Sequence, residues 1–544
     1  MKTIITTLNA KFIHTALSLR LLYISSYKEH DVEFIEYTIK DQLDHIVSSL
    51  LEKNPSIIAF SCYIWNVEET KAVISKIKST NPEIKIIMGG PEVTYEPEFF
   101  LNNFEIDYIM SGEGEVTFPM LIDQIEKKQL VNVPGVSYKG HISKEITQTP
   151  LEFIERLDSP YNLPQDKKNM AHRLLYFETS RGCPFLCQYC LSSLEKGMRF
   201  YSKEYLKKQL DIICHSDAKI IKVLDRSFNA KMEHALFVLD YIFKNYTPGQ
   251  QYQFEINADV FPMKIVEYIN ENAPKNLLRF EVGIQSTHEP TNRAVKRMQN
   301  FEKLSAVVKA LMEGGKCDLH LDLIAGLPYE SYDRFKQSFD EVFKFRAKEL
   351  QLGFLKMLRG TSLRNDAENY GYTYQETAPY EMIHNDWMSE IEISQVHLAE
   401  DMLEKYWNSG RFSRSMNQIM DDNDSAFDFF YNLGVYYQKN NYPFHGFQLD
   451  LLYKILNEYT HYNYQDLLII DYLSISKTKP KRFYEPTIST ELRHQVIEAL
   501  GNLGHNKDRL YRYSRIEKLK DGYLVAIYQN MQCEIDIYPL TIIT

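Results

Sequence analysis

The chain has 544 residues, 44% of them hydrophobic and 25% charged, a composition that excludes disordered and fibrous classes and is long enough for about three domains. A net charge of −11 disfavours nonspecific adhesion to nucleic acid, and no apolar run approaches the roughly 18 residues of a membrane span. Seven cysteines are too few for a disulfide scaffold, and three of them, Cys183, Cys187 and Cys190, crowd into one short loop, which points to metal.

Residues 1–8 run directly into a strand pattern with no secretory signal, so a cytoplasmic protein is expected. Up to about residue 130, β-branched runs at 3–8, 32–37, 56–63, 85–88 and 107–111 alternate with amphipathic stretches at 16–27, 40–52 and 67–80. Near-continuous apolar strands separated by helices predict a doubly wound parallel sheet, whose ligands sit past the strand C-termini. Those ends carry Ser61 and Tyr63, then Gly89, Gly90, Pro91 and Glu92, then Gly112, Glu113, Gly114 and Glu115. Glycine there permits close approach of a flat ligand or, more plainly, a turn. Cys62, Cys214, Cys317 and Cys533 read as core thiols. His14 reads as an ordinary hydrogen-bonding histidine.

A hairpin at Lys139 and Gly140 and a linker over 146–172, punctuated by Pro150, Pro160 and Pro164, separate a first domain (1–145) from a second (173–365). Six strand-like runs in the second, at 174–180, 220–224, 252–257, 278–284, 318–325 and 349–355, predict a partial (β/α)6 barrel with its chemistry at the strand C-termini. Residues 366–544 read as a mainly α-helical domain, closed by strands at 522–528 and 533–538. Its aromatics, among them Phe429, Phe430, Tyr431, Tyr436 and Tyr437, are expected in its core. Its late Lys and Arg cluster reads as a solvated surface.

After the first barrel strand stands Arg181-Gly182-Cys183-Pro184-Phe185-Leu186-Cys187-Gln188-Tyr189-Cys190, a C-x3-C-x2-C loop. Three thiolates can each hold one iron of a cubane and leave the fourth iron open. Structural zinc would need a fourth ligand, and no nearby Cys or His supplies one at finger-like spacing.

This loop resembles the signature of the radical S-adenosylmethionine (SAM) superfamily. The barrel continues the resemblance to the group that also carries a cobalamin-binding domain. Asp225-Arg226-Ser227-Phe228-Asn229, Phe254-Glu255-Ile256, Glu281-Val282-Gly283-Ile284-Gln285-Ser286, Leu323-Ile324-Ala325-Gly326-Leu327-Pro328 and residues 355–361 follow in the order of that group. The resemblance implies a 4Fe-4S cluster on Cys183, Cys187 and Cys190, with SAM on the open iron and reductive cleavage to a 5′-deoxyadenosyl radical. Tyr189, Glu255, Gln285 and Ser286 become candidate SAM contacts. Asp225 is either a SAM contact or a structural loop residue.

Residues 1–130 resemble the cobalamin-binding domain of the same group, with the Gly89–Glu92 and Gly112–Glu115 loops as its clearest pieces. The D-x-H-x-x-G element of histidine-ligated cobalamin proteins is missing, which implies cobalt without a histidine below it. The resemblance further implies radical chemistry on an unidentified small molecule, peptide or RNA, with methylation of a poorly activated carbon as the specific expectation. Rearrangement, sulfur transfer or ring formation is the rival, and a noncatalytic cobalamin sensor the remote one. A flavodoxin- or ferredoxin-type donor would supply electrons, no membrane is involved, and the two ligand edges are expected to face each other.

Overall fold

Alternation of apolar side chains builds the first sheet. In β1 (Thr3–Asn9), Ile4 points into one apolar layer and Ile5 into the other, so both faces must be covered. The structure, a computed structural model describing residues 1–195 and 197–543, divides by contacts into one unit of residues 1–335 and 352–390 and another of residues 336–351 and 391 onward.

In the first unit β1 is followed by α1 (Leu17–Ser26), β2 (Val32–Thr38), α2 (Leu43–Leu51), β3 (Ile57–Ser61), α3 (Val67–Thr80), β4 (Lys85–Gly89), α4 (Pro91–Thr94), α5 (Pro97–Asn103), β5 (Tyr108–Met110), α6 (Thr117–Glu126) and β6 (Val136–Ser137). The order is β2-β1-β3-β4-β5-β6, parallel except for β6 at the edge, and the order reverses between β1 and β3. The expected hairpin is present, with Tyr138 and His141 exchanging backbone hydrogen bonds of 2.9 and 2.8 Å.

After α7 (Leu151–Glu155) the chain enters the open barrel. Its strands are β7 (Leu174–Phe177), β10 (Ile220–Val223), β11 (Gln251–Ile256), β12 (Leu278–Gln285), β13 (Cys317–Ala325) and β14 (Glu349–Phe354), in the order β14-β13-β12-β11-β10-β7. A short pair, β8 (Ser180–Arg181) with β9 (Arg199–Phe200), brackets the cysteine loop. Helices α8 (Lys203–Cys214), α9 (Met232–Asn245), α10 (Met263–Asn272), α11 (Glu289–Ala294), α12 (Phe301–Gly314) and α13 (Tyr332–Phe343) fill the connections. Along β12 the buried Leu278, Phe280, Val282 and Ile284 alternate with half-buried Arg279, Glu281, Gly283 and Gln285. The half-buried face is polar where a closed barrel would pack branched apolar side chains.

Residues beyond 365 add a hairpin to the strand ends of the barrel. After α14 (Ser362–Asn365), the hairpin of β15 (Thr373–Tyr374) and β16 (Met382–His384) packs back on the strand ends, with Met382 N donating to Leu355 O at 3.0 Å and Tyr372 OH to Gly326 O at 2.8 Å.

The second unit holds α15 (Glu390–Leu403), α16 (Ser413–Asp421), α17 (Ala426–Lys439), α18 (Leu449–Tyr459), α19 (Gln465–Ile475), α20 (Thr490–Asn502) and α21 (Lys507–Tyr513). It ends in an antiparallel sheet of β17 (Ser514–Lys518), β18 (Gly522–Gln529) and β19 (Gln532–Pro539), of which β17 was not expected. Phe429, Phe430 and Tyr437 are buried in its core, while Tyr431 and Tyr436 are half-buried. Of its late basic residues, Arg482 pairs with buried Glu517 at 2.7 Å and Lys507 with Glu498 at 2.6 Å. Among the described residues no helix is long and apolar enough to cross a membrane.

Candidate functional site

The cysteine loop hangs between β8 and β9. Gly182 has φ +89° and lies directly over Gly197 O, where any side chain would collide, so the loop can turn tightly only with glycine there. Cys187 is buried and Cys183 and Cys190 are half-buried. The loop is held from two sides: Gln188 N donates to Val295 O at 2.9 Å, and Gln188 O accepts from Leu363 N at 3.1 Å. Burial pushes the Cys183 thiol up, against hydrogen bonds from Phe185 N–H and from Ser227, whose Oγ is 3.8 Å away.

Asp225 braces this loop from below. Its Oδ1 accepts from Thr179 N (2.7 Å) and Ser180 N (3.1 Å), and its Oδ2 from the hydroxyls of Thr179 (2.5 Å) and Ser180 (2.6 Å). Both oxygens are therefore spent on the strand end, and of the two roles expected for Asp225 this geometry is the structural one. Burial raises its pKa to about 6 in spite of these donors. Behind it, His234 Nε2 lies 2.8 Å from Thr179 Oγ1, and burial lowers the imidazole pKa to about 4.

The candidate SAM contacts divide. Gln285 sits at φ +68° with its Oε1 buried and unpartnered, and Gln188 Oε1 is likewise orphaned beside the cysteines. Each lacks a donor that a ligand could supply. Glu255 faces Arg226 at 3.6 Å, and burial pushes its carboxyl up. Burial also pushes the Tyr189 phenol up, against the Arg297 guanidinium 3.4 Å away. Ser286 is completely buried, its hydroxyl donating to Glu330 Oε1 at 2.6 Å and accepting from His288 N at 2.9 Å.

The expected cobalamin loops divide in the same way. A Cβ on Gly90 (φ +108°) would strike Cys62 O, and one on Gly112 (φ +98°) would strike Thr147 O, so these glycines admit the chain's own backbone. Gly114 packs against Leu22, whereas Gly89 meets only ordinary contacts with Met110. Pro91 opens α4. The carboxylates reach across to the barrel. Arg181, two residues before Cys183, pairs with Glu115 at 2.7 Å and Glu113 at 3.0 Å. Arg199 also pairs with Glu113, and Thr149 donates to Glu113 (2.7 Å) and Glu115 (2.9 Å). Although burial opposes it, Arg181 holds the Glu115 carboxyl below its usual range. On the far side Glu92 accepts from Tyr380 OH at 2.5 Å and pairs with Arg359 at 3.3 Å, while Arg359 also binds Glu96. The Gly89 and Gly112 loops thus face the barrel.

At the β1/β3 switch point of the sheet's ligand edge lie buried Ser61 and half-buried Tyr63, each within 3.3 Å of Ser18 Oγ. Trp65 stacks on Tyr63 at 4.3 Å and is 48% exposed, as are Phe12 and Ile13 to a similar extent. Phe12 also lines a cavity of about 350 Å³, together with Asn9, Lys11, Glu36, Lys40 and Arg173. An exposed aromatic edge of this kind fits a large planar ligand. His14 is engaged with Tyr176 OH at 2.7 Å, as expected of a hydrogen-bonding histidine. Cys62 and Cys214 are buried, but Cys317 and Cys533 are only half-buried. Among the described residues no three His, Cys, Asp or Glu side chains converge on one metal ion, and the corners of a cubane need not do so, since each thiolate holds a different iron.

Comparison with known proteins matches residues 4–122 to the B12 binding domain, 177–342 to the radical SAM superfamily and 368–535 to a protein family of unknown function, DUF4080. An uncharacterized methyltransferase of Pyrococcus horikoshii is 32% identical over 231 residues, 40% of this chain and 50% of that one. The cobalamin-dependent radical SAM methyltransferase TokK of Streptomyces tokunonensis is 27% identical over 39% of this chain and 33% of its own. The chain thus spans half or less of the length of these relatives. In fold it is similar to OxsB with aqua-cobalamin bound (TM-score 0.61, 16% identity, 86% of this chain and 78% of that one) and to TsrM of Kitasatospora setae with cobalamin and a 4Fe-4S cluster (0.58, 14%, 70% and 79%). A radical SAM domain implies the cluster and SAM, and a B12-binding domain implies cobalamin. The three thiols, the orphaned amide oxygens and the aromatic edge suit those three groups in turn, and the chain carries a B12-binding domain, a radical SAM domain and a DUF4080 region in that order.

Proposed function

We propose that the protein is a cobalamin-dependent radical SAM methyltransferase acting on a poorly activated carbon of a small molecule, peptide or RNA. The observation that carries this reading is the pairing of Arg181 with Glu113 and Glu115, which ties the cysteine loop to the ligand edge of the B12-binding domain. Substrate held between two such edges would lie within contact distance of both. The bound groups would supply one-electron cleavage of a sulfonium and a methyl carrier.

The chain's own residues would bind and orient. Cys183, Cys187 and Cys190 are the cluster ligands, Tyr189, Glu255 and Gln285 the SAM contacts, and Ser61, Tyr63 and Gly89 with Trp65 the corrin edge. Asp225, Ser286, Gly90, Glu92, Gly112, Glu113 and Glu115 position those groups without touching them. Free thiols and a need for low-potential electrons fit a cytoplasmic protein served by a flavodoxin- or ferredoxin-type donor.

The test is anaerobic reconstitution followed by incubation with dithionite and methyl-labelled SAM. Four irons per chain and release of 5′-deoxyadenosine are expected, both lost in Cys183→Ala and kept in Cys62→Ala. Absence of reductive SAM cleavage from the iron-loaded protein would overturn the reading. Cleavage with no label in any product, once substrate is supplied, would move it to ring formation or rearrangement.

A further inference from the structure

Arg297 is a partly buried guanidinium that makes no ion pair with a carboxylate among the described residues. Its position is fixed from three sides. Its backbone N donates to Asn292 O at 2.8 Å, its Nε donates to Gln299 Oε1 at 3.0 Å, and its Nη2 donates to Gly283 O. Lys296, at φ +55°, turns the chain to allow this, and Val295 just before it accepts the amide of Gln188 from the middle of the cysteine loop. What is left of the guanidinium, Nη1, points at the loop, 3.9 Å from Cys187 Sγ and 3.4 Å from Tyr189 OH.

Burying a cation without an anion is costly, and removing charge from water is repaid only by a close counter-charge. Neutral Tyr189 and a neutral thiol do not supply one. A cubane on three thiolates does, since it carries one net negative charge when oxidised and two when reduced.

We propose that Arg297 is the counter-cation of the cluster, donating N–H to the Cys187 sulfur and raising the reduction potential by favouring the more negative, reduced state. The inference rests on the cluster assignment above. It concerns one electron, passed from an external low-potential donor to the oxidised cluster, with no proton moved. Charge and hydrogen bonds at the sulfurs are the levers by which proteins set such potentials.

The experiment is a redox titration of reconstituted full-length protein, monitored by electron paramagnetic resonance without SAM, on wild type, Arg297→Met, Arg297→Gln and Arg297→Lys. Iron is counted first. Wild type without four irons defeats the cluster assignment itself, whereas wild type with four irons leaves this inference to be judged on the variants. At the wild-type midpoint the reduced-to-oxidised ratio should fall about tenfold in Arg297→Met, a shift of about 59 mV for a one-electron couple, and by less in Arg297→Lys. Equal potentials in Met and wild type would overturn the proposal. So would an unchanged potential with weakened SAM binding, which would make Arg297 a ligand of the SAM carboxylate. If both neutral variants lose iron, retention in Arg297→Lys supports the charge requirement, and loss in all three shows a purely structural role.

Discussion

Asp225 and His234 share the Thr179 hydroxyl and titrate in opposite senses. The folded pKa of Asp225 is raised to about 6 from 3.8, so between those values the folded chain binds the extra proton and stability falls as pH rises. His234 is lowered to about 4 from 6.5, so over nearly the same range the unfolded chain binds the extra proton and stability rises with pH. The two slopes largely cancel in the wild type. Asp225→Asn removes one of them, and the variant should gain on wild type by about 3 kcal/mol between pH 4 and 6, with no further change above pH 7. Thermal midpoints of the two apo-proteins across that range read the difference, and a constant offset would remove the linkage. None of this was visible in the sequence: Asp225 stood in a loop with two open roles, and only the closure of all four acceptor sites by residues 179–180 separates them. The hydrogen bond of Ser286 had no local signal either, since its partner Glu330 lies 44 residues away.

At the scale of elements, strands were legible to within one to three residues because apolar period-two runs flanked by glycine and charge leave little freedom. β17 was missed because Glu517 and Lys518 break its apolar run, although Glu517 is buried on Arg482 and Thr487. The hairpin of β15 and β16 had no signal in the sequence because these strands are only two and three residues long and carry no periodicity. The glycine loops were legible, but the close backbone approaches at Gly90 and Gly112 were not, since the atoms that meet them come from Cys62 and Thr147. Gly112→Ala should therefore destabilise the protein by about 2 kcal/mol or more without any cobalamin present, from the left-handed backbone and the collision with Thr147. Denaturation of the apo-protein measures it. Unchanged apo stability with weakened cobalamin binding would return Gly112 to the ligand. The same contact dictates that any isolated B12-binding fragment extend past Thr149 rather than stop at residue 145.

Across the first unit, ionic ties join residues distant in sequence: 66 residues separate Glu115 from Arg181, and 263 separate Glu96 from Arg359. No local pattern announces such partners. The Arg181 and Glu115 side chains are only 9% and 7% exposed, so Arg181→Met leaves a buried carboxylate uncompensated and should cost about 3–5 kcal/mol. Lys28→Met removes a pair with Asp158 whose side chains are 63% and 50% exposed, and should change stability little. Denaturant midpoints of the two variants against wild type test the contrast, and equal losses would contradict it.

The Arg359 contacts also impose an order on biosynthesis. The ribosome delivers the B12-binding domain first, yet Glu92 and Glu96 wait for a cation that emerges more than 250 residues later. The backbone clamp from Leu363 onto Gln188 arrives later still. A nascent chain halted before residue 359 would therefore carry all three cluster cysteines in a loop fastened on one side only. Metal loading of the fully clamped loop thus belongs to the last stages of translation or to the released protein.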